Sequence, residues 1–149
     1  MTSRWGPPTW NLFHTIIEKV KDEEFLNIKN TLFHFIRRIC SILPCPDCSA
    51  HATLFLSKVN PDGIKTREDF RNMLAFFHNV VNRRRHTPMI NITSILETYK
   101  TNNLIVVYNT FIKEFNTRGN IKLMSDSMQR RFVVSDFRKW IMTNITKFS

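Results

Sequence analysis

A chain of 149 residues, 42% hydrophobic with thirteen Phe and three Trp, holds enough apolar matter for one domain with a real core and is not a disordered segment. Its three Cys are too few for the stapled framework of a small secreted domain, no apolar run of about 18 residues could span a membrane, and the N-terminus lacks the apolar centre of a signal peptide. The net charge of +10 is spread evenly, +5 in residues 1–100 and +5 in 101–149, and sharpens only at Arg83-Arg84-Arg85, which suits either an anionic partner or a solvated basic surface.

Only three Gly, together with long stripes of helical spacing, predict an all-α protein. Pro7-Pro8-Thr9 reads as a stop followed by a cap, and Trp10, Phe13, His14, Ile17 and Val20 then mark one face of a first helix to about Lys21. A histidine on such a face is ordinarily a core residue. Phe25, Ile28, Leu32, Phe35, Ile36, Ile39 and Leu43 mark a second helix ending near Pro44, with Cys40 beside the stripe as a buried thiol.

Next comes Leu43-Pro44-Cys45-Pro46-Asp47-Cys48-Ser49-Ala50-His51-Ala52. Pro46 fits the first position of a third helix, with Cys45 just outside it. Two thiols at this spacing can close into a disulfide at the helix start, where backbone N–H groups and the dipole favour a thiolate. Such a pair opens and closes readily, because the thiolate is both attacking and leaving group in exchange. The same spacing also occurs in zinc sites, and Cys40, Cys45, Cys48 and His51 have the right ligand types for one, in a module that would bind nucleic acid or protein. A thioredoxin-like site would need a strand before Cys45, and none is evident.

After a turn at Asn60-Pro61-Asp62-Gly63, Thr66 caps a fourth helix with Glu68 and Asp69 in its first turn. Its stripe is Phe70, Met73, Leu74, Phe77, His78 and Val81, and it carries His78-Asn79-x-Val81-Asn82 into the arginine triplet. Two amides and an imidazole beside an apolar stripe need partners if buried; a polar ligand would supply them, and an exposed helix end would make them unnecessary. Thr93-Ser94 starts a short fifth helix to about Tyr99. Beyond residue 100, Leu104 to Phe115 could be strand or helix, Asn116 to Asn120 reads as a loop around Gly119, and Ser135-Asp136 would cap a last helix bearing Phe137, Trp140, Ile141 and Ile145.

Taken in order, Trp5-Gly6-Pro7-Pro8-Thr9-Trp10-x-x-x-His14, Cys45-Pro-Asp-Cys48 and His78-Asn79-x-Val81-Asn82 resemble the flavin-linked sulfhydryl oxidases of the Erv/ALR family over about residues 4 to 99. The Leu-Pro-Cys-Pro-x-Cys-x-x-His-Ala form looks like the small oxidases of large cytoplasmic DNA viruses. The resemblance implies a compact four-helix bundle plus a short fifth helix binding FAD in residues 1–100. A mostly helical C-terminal extension, 101–149, would pack on the core or a partner. It implies disulfide formation in a small dithiol or thioredoxin-like protein, with oxygen as acceptor and hydrogen peroxide as product. Cys45 would exchange with substrate and Cys48 would lie beside the flavin. Gly6, Trp10 and His14 match the first flavin-contacting motif; His78, Asn79, Val81 and Asn82 match the second.

The residue chemistry supports the same assignment, since Phe77 adds an aromatic wall and Arg83, or one of its two neighbours, adds charge for phosphates. Pro7 and Thr87 stand where the family commonly has arginine and lysine, which puts part of the phosphate contact in doubt and leaves room for a non-catalytic bundle protein. No second cysteine pair is present, so the dithiol partner would dock directly at Cys45. The resemblance further implies a homodimer in the host cytoplasm or virion, with neither nucleic acid nor a membrane as partner.

Overall fold

In the computed structural model, which describes residues 2–116 and 121–149, seven α-helices account for nearly all the secondary structure, and among the described residues no strand forms beyond one isolated bridge. They are α1 (Thr2–Lys19), α2 (Phe25–Cys40), α3 (Pro46–Ser57), α4 (Arg67–Arg84), α5 (Ile95–Tyr99), α6 (Leu104–Phe115) and α7 (Ile121–Thr143). The fold is all-α, and no helix among the described residues is long and apolar enough to cross a membrane.

Helix α1 packs against α4, α5 and α6, and accordingly buries two stripes: Phe13 and Ile17 on one, continued by Val20 just past its end, and Leu12 and Ile16 on the other. Helix α2 packs against α3 and α7. One continuous core joins Leu32, Ile36 and Ile39 of α2, Leu56 of α3, Phe70 and Leu74 of α4, Phe111 and Phe115 of α6, and Phe137 and Ile141 of α7. Each such side chain contributes roughly 1.5–3 kcal/mol on leaving water.

Three local expectations are corrected. Pro7 and Pro8 do not stop a helix; they lie inside α1 as its sixth and seventh residues, where each forfeits an N–H bond to the preceding turn. Thr9 is therefore no cap, and its hydroxyl instead donates to the Trp5 carbonyl at 2.6 Å. Ser135-Asp136 is no cap either, because α7 runs through it and Asp136 pairs with Arg38 of α2 at 3.0 Å. The Leu104–Phe115 run resolves as helix, with Asn103 capping it through the Val106 N–H. The loop expected around Gly119 lies outside the described residues.

Helix α4 opens as its sequence predicts: Thr66 accepts from the Asp69 N–H and the Asp69 carboxylate accepts from the Thr66 N–H, a complete capping box. An ion pair ties α1 to α4 from inside, with Arg71 Nε and Nη2 each 2.7 Å from the Glu18 carboxylate. At the far end, the Lys21 N–H donates to the Lys147 carbonyl and the Ser149 N–H to the Lys19 carbonyl, clipping the C-terminal residues to the α1–α2 junction.

Candidate functional site

Cys45 and Cys48 are disulfide-bonded, with Cα atoms 5.2 Å apart, at the N-terminus of α3. Local chemistry fixes this placement. Pro46 occupies the first helical position, and Cys45 takes the extended backbone of an N-cap, its sulfur accepting the Cys48 N–H at 3.2 Å. Ser49 anchors the loop leading in, its hydroxyl oxygen accepting the Leu43 N–H at 2.7 Å.

Cys48 lies on the wall of a cavity of about 430 Å³ between α1, α3 and α4, a volume within the range of small-molecule sites. Gly6, Trp10, Phe77 and Val81, each singled out from the sequence, line it, as do Phe55 and the free thiol Cys40. Burial pushes the Cys40 thiol well above its ordinary range, so it stays protonated. The cations at this cavity are Lys58, Arg84 and Arg85; Arg83 is exposed and is not part of the wall.

His14 and His78 lie behind Trp10 rather than on the cavity wall. The Trp10 and His78 rings stack at 4.0 Å, His14 Nε2 is 2.9 Å from His78 Nδ1, and Tyr99 stacks on His14 at 4.8 Å. Burial lowers the His14 pKa to about 3, helped by the neighbouring His78, and burial alone lowers that of His78 to about 4. Both rings are therefore neutral at pH 7. His14 Nδ1 is buried with no hydrogen-bond partner among the described residues.

Asn79 and Asn82 find their partners within the chain. Asn79 accepts the Ile90 N–H at 2.7 Å and donates to the Ile90 carbonyl at 3.2 Å, while Asn82 accepts the Thr87 hydroxyl at 3.1 Å. His86 adopts a positive φ of 57° at the end of α4 and turns the chain back for these contacts. The amides thus hold the segment that supports α4, and Thr87 serves that segment.

The four-ligand zinc arrangement is not what forms. Cys45 and Cys48 are joined to each other, Cys40 is buried, His51 Nε2 lies 3.5 Å from Asp47, and no group able to hold a metal ion occurs among the described residues.

Two features escaped the sequence reading. Cys48, His51, Ala52 and Phe55 share one helical face and all line the cavity, a spacing signal that was available. The Asp47–Arg84 pair, Oδ2 to Nη2 at 2.6 Å, joins positions 37 residues apart and carried no local signal.

Residues 7–100 match the Erv1/Alr family. The chain is 26% identical over 99 residues to protein 096R of Invertebrate iridescent virus 3, which is named as an FAD-linked sulfhydryl oxidase, covering 64% of this chain and 66% of that one. It is 33% identical over 86 residues to the FAD-linked sulfhydryl oxidase of African swine fever virus, covering 58% of this chain and 71% of that one. It is 32% identical over 84 residues to the FAD-linked sulfhydryl oxidase ERV1 of Oryza sativa, covering 56% of this chain but only 43% of the rice protein. No solved structure matches it. The matched stretch contains the disulfide and nearly all of the cavity wall, and on that match the chain belongs to the Erv1/Alr family.

Proposed function

We propose that this chain is an FAD-dependent thiol oxidase that forms disulfides in a partner protein, with oxygen as the final acceptor and hydrogen peroxide as product. One observation carries the reading: Cys48, half of a disulfide at a helix N-terminus, faces an aromatic cavity edged with cations.

The residues present suit a flavin nucleotide. Trp10, Phe55 and Phe77 offer flat walls, and Lys58 and Arg85 offer charge for phosphates. Gly6, Trp10, Phe77 and Val81 would hold the group directly; His14, His78, Asn79 and Asn82 would act from behind. Arg85 takes the phosphate role first given to Arg83, because Arg84 is engaged by Asp47. When bound, FAD supplies the two-electron acceptor that oxygen then regenerates.

The chain's own part is thiol exchange. A substrate thiolate attacks Cys45, which is half-buried at the helix start, and Cys48 departs as a thiolate on the cavity side. The Cys48 N–H, already aimed at the Cys45 sulfur, stabilises a thiolate there. We assign the substrate to small dithiol or thioredoxin-like proteins, the oxidase domain to residues 1–100 with 101–149 as an extension, the assembly to a homodimer, and the place of action to the host cytoplasm or virion.

The test is a visible absorption spectrum together with oxygen uptake on dithiothreitol. Purified protein is expected to be yellow and to consume oxygen, and Cys45→Ser and Cys48→Ser to keep the colour and lose the uptake. Colourless protein, or uptake retained in both variants, overturns the assignment.

A further inference from the structure

Asp47, between the two cysteines, is the one acidic residue in the first turn of α3. A carboxylate there opposes what the helix start otherwise provides, because it lies in the same turn that stabilises a Cys45 thiolate. Its charge is not left alone. Arg84 of α4 reaches across at 2.6 Å, and its hydrogen bond holds the Asp47 carboxyl below the usual carboxylate range. His51, one turn on, is the second neighbour at 3.5 Å. From α2, which also packs on α3, Arg38 is paired with Asp136 and Arg37 lies over the Phe33 ring. Lys58 and Arg85 complete the charged groups of the cavity, and Cys40 there is neutral.

We propose that Arg84 is a positioning residue for thiol exchange, acting through Asp47: by cancelling the one negative charge in the redox turn, it keeps Cys45 a good leaving thiolate and the pair a strong oxidant. The inference rests on the reading of Cys45 and Cys48 as the redox pair. A substrate thiolate attacks Cys45 Sγ, a mixed disulfide forms, the Cys45–Cys48 bond breaks, and Cys48 leaves as a thiolate. The substrate's second thiolate then attacks its own sulfur in the mixed disulfide and releases Cys45 as a thiolate. The substrate has lost two electrons to become a disulfide, the protein pair has gained them, and the two thiol protons go to water. Release of Cys45 is the step governed by its acidity. With Arg84 gone, Asp47 repels the developing charge, the reduced pair is less stable, and the disulfide oxidises its partner less strongly.

The experiment uses the flavin-loaded full chain under anaerobic conditions. It is equilibrated with glutathione redox buffers, quenched with acid, and the reduced fraction of the Cys45–Cys48 peptide is read by alkylation and mass spectrometry. The rate of Cys45 alkylation by iodoacetamide against pH gives the thiol's ionisation. Arg84→Gln is expected to lower both the reduction equilibrium constant and the Cys45 ionisation constant by about two- to fivefold, the span of an exposed ion pair. Arg84→Lys is expected to stay near wild type, and Asp47→Asn to move both constants the opposite way. In the Asp47→Asn background, Arg84→Gln should have lost most of its effect. An unchanged pair of constants in Arg84→Gln overturns the inference. So does an equal drop with and without Asp47, which would place the effect in the cavity instead. A wild-type disulfide that does not equilibrate with glutathione at all overturns the redox reading beneath it.

Discussion

Trp10 lies flat on His78, ring centroids 4.0 Å apart and planes 6° from parallel, so the first and second sequence motifs meet as one stacked unit. His14 continues it, its Nε2 2.9 Å from His78 Nδ1 and its ring stacked on Tyr99. Between two imidazoles at that distance one nitrogen must donate and the other accept, so the accepting ring must be neutral and the contact is lost once both rings are protonated.

That requirement sets an acid sensitivity. The folded pKa values, about 3 for His14 and about 4 for His78, lie below the ordinary 6.5. The unfolded chain therefore binds more protons between those limits, and folding stability falls as pH drops through that window. From pH 6.5 to 5 the loss is expected to be about 1.5 kcal/mol for each ring. Urea titrations across that range test this. His78→Phe keeps a ring against Trp10 but cannot take a proton, so it should flatten the slope; a slope unchanged in that variant would place the sensitivity elsewhere.

Asn79→Ala removes both hydrogen bonds that pin Ile90 to α4. The backbone groups it leaves are near the surface, so the expected cost is about 1 kcal/mol globally, with a larger local effect. Hydrogen exchange should quicken at Ile90 and in the adjoining segment while α1 and α2 keep their protection. Uniform loosening of the whole chain would contradict this view of Asn79 as a clamp.

The parts of the site that were legible in the sequence are those fixed by neighbours along the chain. Cys45 as N-cap, Pro46 at the first helical position and Thr66 with Asp69 as a capping box are local devices, and each stands where the residues put it. The failures are also local. Pro7 and Pro8 resemble a stop, yet α1 runs through them: burial of Trp5 and Gly6 favours continuing the helix although each proline forfeits an N–H bond. Ser135-Asp136 resembles a cap, but packing of Val133, Val134 and Phe137 holds α7 through it. What was not legible is contact between distant positions: Asp47 with Arg84, Asn79 with Ile90, and Arg85 at the cavity in place of Arg83.

The Glu18–Arg71 pair gives a sharper asymmetry. The Glu18 side chain is only 1% exposed, so its carboxylate depends on Arg71 for nearly all its stabilisation. Arg71→Ala strands a buried charge and is expected to cost about 3–5 kcal/mol, whereas replacing both residues by apolar ones of similar volume should cost far less. Thermal unfolding of Arg71→Ala against Glu18→Leu/Arg71→Met decides it. A double variant as unstable as the single one would show that the pair matters for packing rather than charge.

Phe137 tests whether residues beyond 100 share the core of the bundle. It is fully buried, stacks on Phe35 of α2 at 4.8 Å, and meets Tyr108 of α6 edge-on at 5.8 Å. Tyr108 is fixed in turn by its hydroxyl donating to the Val134 carbonyl at 2.5 Å. Phe137→Ala should remove about 3–5 kcal/mol and leave a void between α2, α6 and α7. Because one hydrophobic cluster runs through all these helices, the loss should appear in a single cooperative transition, with far-UV and near-UV signals melting together. An early transition that takes only α6 and α7, leaving the remaining helices at their original midpoint, would instead make the C-terminal helices a separately folding unit laid on an independent bundle.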